Sequence, residues 1–290
     1  MRTIAFALAV SVLGTSGFAQ GLRVAISVGI NDYPGEEYDL YRAVNDADAV
    51  AQTFHEMGYA SYGLFDVTID DFAYELDGIL TNLSQDDEVV FFFSGHGVNY
   101  AGANAIVFAD DEQVYVEDIL NRIQEAGVRT TVLILDACRS YAAPEMTTRS
   151  RDVGVGPSFT NTTPAARGSF ILYSAGSGQF AYDGSEEDPD PNSLFTRELI
   201  DLLPTPGMSI QELALGLRRN VEAVAAEFAV RQTPAYYDEI VGEFSFAGLS
   251  PDESGDAPSR GPRNEDACEG ADRINAIITS SLNEVDPVCQ

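Results

Sequence analysis

A chain of 290 residues, 45% of them hydrophobic, has length for one enzyme domain plus a tail or for two small domains, and its apolar content argues against disorder over most of that length. Its 46 acidic and 16 basic residues leave a formal charge of −30, and every basic residue is an arginine. Such a surface repels nucleic acid and anionic membrane, so neither is expected as a partner; it attracts basic peptides, although a solubility or salt adaptation accounts for most of the charge.

Residues 1–19 read as a cleavable secretory signal. Arg2 gives a positive start, Ile4 to Leu13 is an apolar run too short to span a bilayer, and Gly17-Phe18-Ala19 offers small residues for cleavage after Ala19. A periplasmic or extracellular location follows. No later segment is apolar and long enough for a membrane helix, so a soluble mature chain is expected.

The next elements alternate. Leu22 to Gly29 is a compact apolar run and predicts a buried strand; Leu40 to Met57 carries Leu40, Val44, Ala47, Ala51 and Phe54 at helical spacing. A second strand is predicted near Ala60 to Phe65 and a helix over Asp70 to Leu83. Glu88 to Phe93 is a strongly apolar strand, and Val107-Phe108 marks a short one. Val116 to Ala126 reads as a helix closed by Gly127, followed by strands at Thr131 to Leu135 and Phe170 to Tyr173. Helices follow at Leu194 to Leu203 and Ser209 to Phe228, the second opening on the capping-box spacing Ser209-x-x-Glu212. Glu243 to Phe246 is expected to be the last strand. Apolar strands alternating with amphipathic helices predict an α/β domain over residues 20–249, a largely parallel sheet covered on both faces.

From residue 250 to 267 the composition turns to Pro, Gly, Ser, Asp and Arg, which reads as a linker. Residues 268–290 form a short C-terminal segment with one predicted helix. Its two cysteines, Cys268 and Cys289, bracket it, and export permits them to pair as a disulfide. Cys138 is then the odd thiol of three, the one to regard as reactive.

In open parallel sheets the working residues sit beyond the carboxyl ends of the strands. The strand Glu88 to Phe93 runs into Ser94-Gly95-His96-Gly97; the strand Thr131 to Leu135 runs into Asp136-Ala137-Cys138-Arg139-Ser140. If those strands are neighbours, His96 and Cys138 leave the same sheet edge, and the imidazole can take the thiol proton to leave a thiolate nucleophile. The amides of Gly97 and Cys138 are candidates to stabilise an oxyanion. Taken singly, His96 is equally a satisfied loop histidine and Cys138 a small buried hydrophobe. Their joint placement favours catalysis.

These two motifs, in this order, resemble the His and Cys motifs of caspase-like cysteine peptidases, most closely bacterial caspase-like proteins related to metacaspases and paracaspases. The similarity runs from Leu22 to Phe246. It includes Gly29-Ile30-Asn31-Asp32-Tyr33, Asn45-Asp46, Tyr173-Ser174-Ala175, Asn192-Ser193-Leu194-Phe195-Thr196 and Arg231-Gln232-Thr233-Pro234. The resemblance implies a three-layer sandwich of about six mostly parallel strands between helices. It also implies a Cys-His dyad in a thiol endopeptidase, with no third side chain required to orient the histidine.

Where true caspases carry a basic residue and accept aspartate, this chain has Asp46, and Asp136 lies two residues before Cys138. This resembles the acidic pocket of metacaspases and paracaspases and implies cleavage after arginine or lysine; Asp183 is a weaker third candidate, and a helix surface charge is the plain alternative for Asp46. Metacaspases often need calcium. Asp110, Asp111, Glu112 and Glu145 have the right ligand type, but a solvated acidic cluster is the preferred reading, so no cofactor is assigned. Zinc is disfavoured, because no His or Cys pair has ligand spacing.

The segment from Tyr141 to Gly168 is long, contains Gly and Pro and carries Arg149, Arg151 and Arg167, which are candidates for self-cleavage. The rival to an active endopeptidase is a caspase-like interaction module with a silent site. A serine hydrolase is disfavoured by the lack of a Gly-x-Ser-x-Gly elbow.

Overall fold

The computed structural model of the protein describes residues 21–100, 103–137, 167–177, 179–184 and 188–248. The expected signal, linker and tail, and with them Cys138, Glu145, Arg149, Arg151, Cys268 and Cys289, lie outside the described residues.

The runs expected at Leu22, Ala60, Glu88, Thr131 and Phe170 all form strands. β1 (Arg23–Gly29), β2 (Ala60–Phe65), β3 (Glu88–Ser94), β7 (Thr130–Asp136), β8 (Ser169–Tyr173) and β9 (Ala235–Asp238) build one sheet in the order β2-β1-β3-β7-β8-β9. All pairs in it are parallel except β8 with β9. A small antiparallel sheet of β4 (Gly97–Tyr100), β5 (Ala103–Val107) and β6 (Gln113–Tyr115) stands between β3 and the helix that precedes β7.

Side chains alternate across a strand, so a sheet buried on both faces makes two cores. On one face Phe91, Phe93, Leu133 and Leu135 pack with Phe72, Leu76 and Ile79 of α2 (Ile69–Leu80) and with Ile119, Leu120 and Ile123 of α3 (Val116–Glu125). On the other Val90, Phe92, Val132 and Ile134 pack with Val50 and Phe54 of α1 (Ala43–Glu56), Phe195 and Leu199 of α4 (Leu194–Leu202), and Leu213, Leu217 and Val221 of α5 (Ile210–Glu227). This is the three-layer α/β sandwich with helices on both faces. The Ser209 capping box forms as its spacing predicts: the Ser209 hydroxyl accepts from the Glu212 amide while the Glu212 carboxylate accepts from the Ser209 amide.

One strand expectation is corrected. Residues 243–246 are irregular, and the last strand among the described residues is β9, pairing Ala235 with Tyr173 and Asp238 with Phe170. Phe244 and Phe246 are buried, but their backbone serves other partners: the Phe244 carbonyl accepts from the Ile210 amide and that of Phe246 from Arg23. Among the described residues no helix is long and apolar enough to cross a membrane.

Candidate active site

β3 and β7 are neighbours, and their register pairs Ser94 with Asp136 at the carboxyl edge of the sheet. The ladder continues one step further, where the Gly95 amide donates to the Asp136 carbonyl at 3.3 Å. His96 lies two residues beyond Ser94, as Cys138 lies two beyond Asp136 in sequence. Gly95 is needed for close approach, since a Cβ there would stand 2.6 Å from the Phe93 ring and 2.8 Å from the Tyr33 hydroxyl. Gly97 opens β4, paired with Ile106.

His96 is 2% exposed and is held by the loop between β1 and α1. Its backbone N–H donates to the Tyr33 hydroxyl at 2.9 Å, and the two rings lie with centroids 4.4 Å apart. Its Nε2 lies 2.7 Å from the Tyr38 carbonyl oxygen. A carbonyl can only accept, so this contact requires the proton on Nε2 and leaves Nδ1 as the basic nitrogen. The orienting group is thus backbone, which no residue type announces in a sequence.

The loop itself is pinned by carboxylates. Asp66 Oδ1 accepts the Asn31 and Asp32 amides at 2.6 and 3.0 Å, and Asp39 Oδ1 accepts the Tyr33 amide at 3.1 Å. Asn31 in turn accepts the Val44 amide at the start of α1. Asp66 has φ 48°, a left-handed conformation that Asp and Asn tolerate best. Burial pushes its carboxyl above 3.8; the Asp32 and Asn31 amides offset part of that rise, and the charges of Asp32 and Asp39 add to it.

Asp46 and Asp136 are both 0% exposed. Asp46, in the first turn of α1, accepts from the Ser94 hydroxyl at 2.9 Å, the Ser193 amide at 2.9 Å and the Asn192 side chain at 3.2 Å. Asp136 accepts on Oδ2 from the Ser193 hydroxyl at 2.6 Å and the Thr196 hydroxyl at 3.0 Å. The structure therefore brings these two acids to one serine, the N-cap of α4. Asp183 is also buried, and its carboxylate accepts the Tyr41 amide at 3.2 Å.

An ion cluster adjoins Asp183 and Ser193. Arg42, just before α1, donates to the Asp183 carbonyl, the Asp188 carbonyl and the Asp188 carboxylate at 2.9, 2.8 and 3.0 Å. Arg197, in α4, donates to the same Asp188 carboxylate and to the carbonyls of Asn192 and Ser193. Gly184, at φ 113°, admits the Arg42 guanidinium; a Cβ there would meet Nη1 at 1.3 Å. Burial tends to raise the Asp188 carboxyl, but the Arg197 hydrogen bond, the Asp190 amide and the charges of Arg197 and Arg42 outweigh it and hold it below 3.8.

Other candidates lie elsewhere. Arg167 is exposed at the foot of β8, the amino edge of the sheet, opposite to His96. Asp110 accepts the Ile69 amide at the start of α2 and the Glu112 amide, and Asp111 has φ 65°. Among the described residues no group of three His, Cys, Asp or Glu side chains is placed to hold a metal ion. Periodicity and motif spacing do not reveal the roles of Tyr33, Tyr38 and Asp66, nor those of Arg42, Ser94 and Ser193. For Ser94 and Ser193 the signal was present, because both lie in the segments that carried the family resemblance.

No curated protein matches the chain. In its fold it is similar to the Drosophila initiator caspase Dronc, at 18% identity over 78% of this chain and 83% of that one with a TM-score of 0.57. It is likewise similar to the protein GSU0716 from Geobacter sulfurreducens, at 16% identity over 79% of this chain and 98% of that one with a TM-score of 0.61. The caspase-domain family matches residues 22–245, which takes in both sheets, helices α1 to α5 and the edge that carries His96 and Asp136. This chain belongs to the caspase family of cysteine peptidases.

Proposed function

We propose that the protein is an exported cysteine endopeptidase that cleaves after arginine, with lysine accepted less well, through a Cys138–His96 dyad. The observation that carries the reading is the contact of His96 Nε2 with the Tyr38 carbonyl at 2.7 Å. It presents Nδ1 as a base at the sheet edge next to the strand that leads into Cys138. The Cys138 thiol gives its proton to Nδ1, and the resulting thiolate attacks the substrate carbonyl carbon. The imidazolium keeps its Nε2–H on the Tyr38 carbonyl, which stabilises the charge as it forms. Collapse of the tetrahedral oxyanion, supported by the Gly97 and Cys138 amides, expels the amine, which takes the proton back from Nδ1. Water then releases the acyl group by the reverse sequence. Residues 1–19, with their signal-like charge, apolar core and small-residue exit, support export.

Specificity for arginine is supported by Asp46 and Asp136 meeting at Ser193. Two fixed carboxylates offer a guanidinium several charge-assisted hydrogen bonds in planar geometry, and they repel an acidic side chain. A second reading has an observation behind it: both acids are 0% exposed and already serve Ser94, Ser193 and Thr196, as framework residues would. Asp46→Asn separates the two. On the specificity reading the variant folds, Cys138 still reacts with iodoacetamide, and turnover of arginyl peptides falls sharply; on the framework reading thermal stability collapses and alkylation is altered with it. The reading as a whole is tested by peptide-library cleavage with the mature protein. Preference for aspartyl over arginyl sites, or activity persisting in Cys138→Ala, would sink it.

A further inference from the structure

We propose that Ser193 is a specificity-determining positioning residue, which holds Asp46 and Asp136 at one fixed spacing and thereby selects a guanidinium over an ammonium group. The inference rests on the reading that these two acids seat a basic substrate side chain, and it goes further by naming what gives that seat its geometry.

Two carboxylates held close together in a site with little water repel each other, and without restraint they splay apart. Ser193 supplies the restraint from both ends of one residue. Its amide donates to Asp46 Oδ1 at 2.9 Å and its hydroxyl donates to Asp136 Oδ2 at 2.6 Å. These donors are only a few covalent bonds apart, so the two acceptor oxygens are tied to a single rigid unit. The hydroxyl is not free to turn away. It also accepts the Thr196 amide at 3.0 Å as the N-cap of α4, so its one proton is committed to Asp136. The Thr196 hydroxyl adds a second donor to the same Asp136 oxygen at 3.0 Å.

Ser193 is itself immobilised. Arg197 Nε donates to its carbonyl at 3.2 Å, and Arg197 shares Asp188 with Arg42, whose own carbonyl accepts the Asp46 amide at 2.7 Å. The cluster therefore connects the start of α1, which carries Asp46, to the start of α4, which carries Ser193.

The consequence is a difference between cations. A guanidinium bonds through a planar fork and needs its acceptors at matched positions; an ammonium is a compact point charge that tolerates varied spacing. Loosening the pair must therefore cost arginine more than lysine. A residue that merely held the fold together would weaken both alike.

The test uses n-butylguanidine and n-butylamine, titrated into the full chain carrying Cys138→Ala and followed by NMR, so that it does not depend on turnover. Added to that background, Ser193→Gly removes the hydroxyl yet keeps a residue tolerated at an N-cap. It should weaken butylguanidine by about tenfold, the loss expected for one hydrogen bond to a charged group, and butylamine by less than about threefold. Thr196→Val leaves the cap in place and should shift the ratio in the same direction by a smaller amount. It decides the question if Ser193→Gly does not fold. Equal losses for both cations, or an unchanged ratio in the variants, overturns the inference while leaving the acidic seat standing. Failure of the Ser193 background to bind butylguanidine overturns the seat and the inference together.

Discussion

The Tyr38 carbonyl oxygen stands 2.7 Å from Nε2 of His96, so the tautomer of the histidine is set by a loop that contributes no side chain to that contact. Tyr33 completes the support by accepting the His96 backbone N–H.

This division predicts opposite outcomes for two tyrosines of the same loop. Tyr38→Ala keeps the carbonyl and removes an exposed ring, and kcat on an arginyl peptide should stay within about threefold of wild type, because surface truncations are close to neutral. Tyr33→Phe leaves a buried N–H without its acceptor, which costs about 1–3 kcal/mol, and lets His96 shift. Its kcat should fall about tenfold or more with little change in KM, since misplacement of the base acts on the chemical step. Steady-state kinetics on one peptide decides it; a larger loss for Tyr38→Ala than for Tyr33→Phe contradicts the assignment.

Asp66 offers a pH test of the same loop. Its carboxyl is raised above 3.8, so its ionisation costs stability, and the cost grows as pH rises from about 4 through the raised value. Asp66→Asn keeps an Oδ1 to accept both amides and suits the left-handed backbone at φ 48°. The variant should therefore melt at or above the wild-type temperature at pH 7, with the difference shrinking toward pH 4. Melting curves at both pH values check the sign. A variant less stable at pH 7, with a gap that narrows on acidification, means the charged form is what holds Asn31 and Asp32.

Much of this architecture is legible in the sequence because apolar strands and amphipathic helices leave opposite periodicities. Glu88 to Phe93 and Thr131 to Leu135 point directly to the two strands that meet at the site, and their glycine- and cysteine-bearing exits mark its edge. Phe244 and Phe246 show the limit of that logic. Their burial is real, but it comes from ring packing of Phe246 on Phe54 and Phe244 and from Arg23 over Phe244 rather than from strand pairing, and periodicity does not distinguish the two. The strand that does pair, Ala235 to Asp238, is only four residues long and half exposed. Tyr38 was invisible for a different reason, since its contribution is a carbonyl. Arg42 was hidden because a buried arginine looks like any surface charge until Asp188 and Arg197 are brought to it from more than a hundred residues away.

That cluster carries its own prediction. Asp188 is the carboxylate that two arginines share, with side chains only 10% and 15% exposed, so Asp188→Asn removes a buried negative charge from beside both, while Asp190 stays 3.6 Å from Arg197. Breaking such a pair costs about 3–5 kcal/mol at neutral pH. Because the Asp188 carboxyl is held below 3.8, its contribution is present above about pH 4 and is lost as pH falls through its lowered value. The variant's deficit in urea denaturation should thus be full at pH 7 and shrink below about pH 3.5. A deficit independent of pH would assign the effect to lost hydrogen bonds rather than to charge.

The last prediction concerns where the chain cuts itself. Three of the four arginines between Cys138 and β8, namely Arg149, Arg151 and Arg167, lie in the segment from Tyr141 to Gly168. Arg167 ends that stretch at the amino edge of the sheet, because β8 runs parallel to β7 and begins at Ser169. His96 follows the carboxyl end of β3, so the length of a strand separates the two, roughly 17 Å at about 3.3 Å per residue. The backbone around Arg167 is also engaged: the Gly168 amide donates to the Glu239 carbonyl, and the Gly168 carbonyl accepts the Thr131 amide. To reach its own active site, this segment would have to unpair from β9 and β7. Self-cleavage within one molecule is therefore expected after Arg149 or Arg151, and cleavage after Arg167 only between molecules. Intact-mass analysis over a dilution series checks this. Cuts at Arg149 or Arg151 should form at a fractional rate independent of protein concentration, whereas a cut at Arg167 should slow in proportion to dilution. A dilution-independent cut at Arg167 would show that β8 detaches at its foot. Absence of any cut between Cys138 and Phe170 in active protein would show that the peptidase works as a single uncleaved chain.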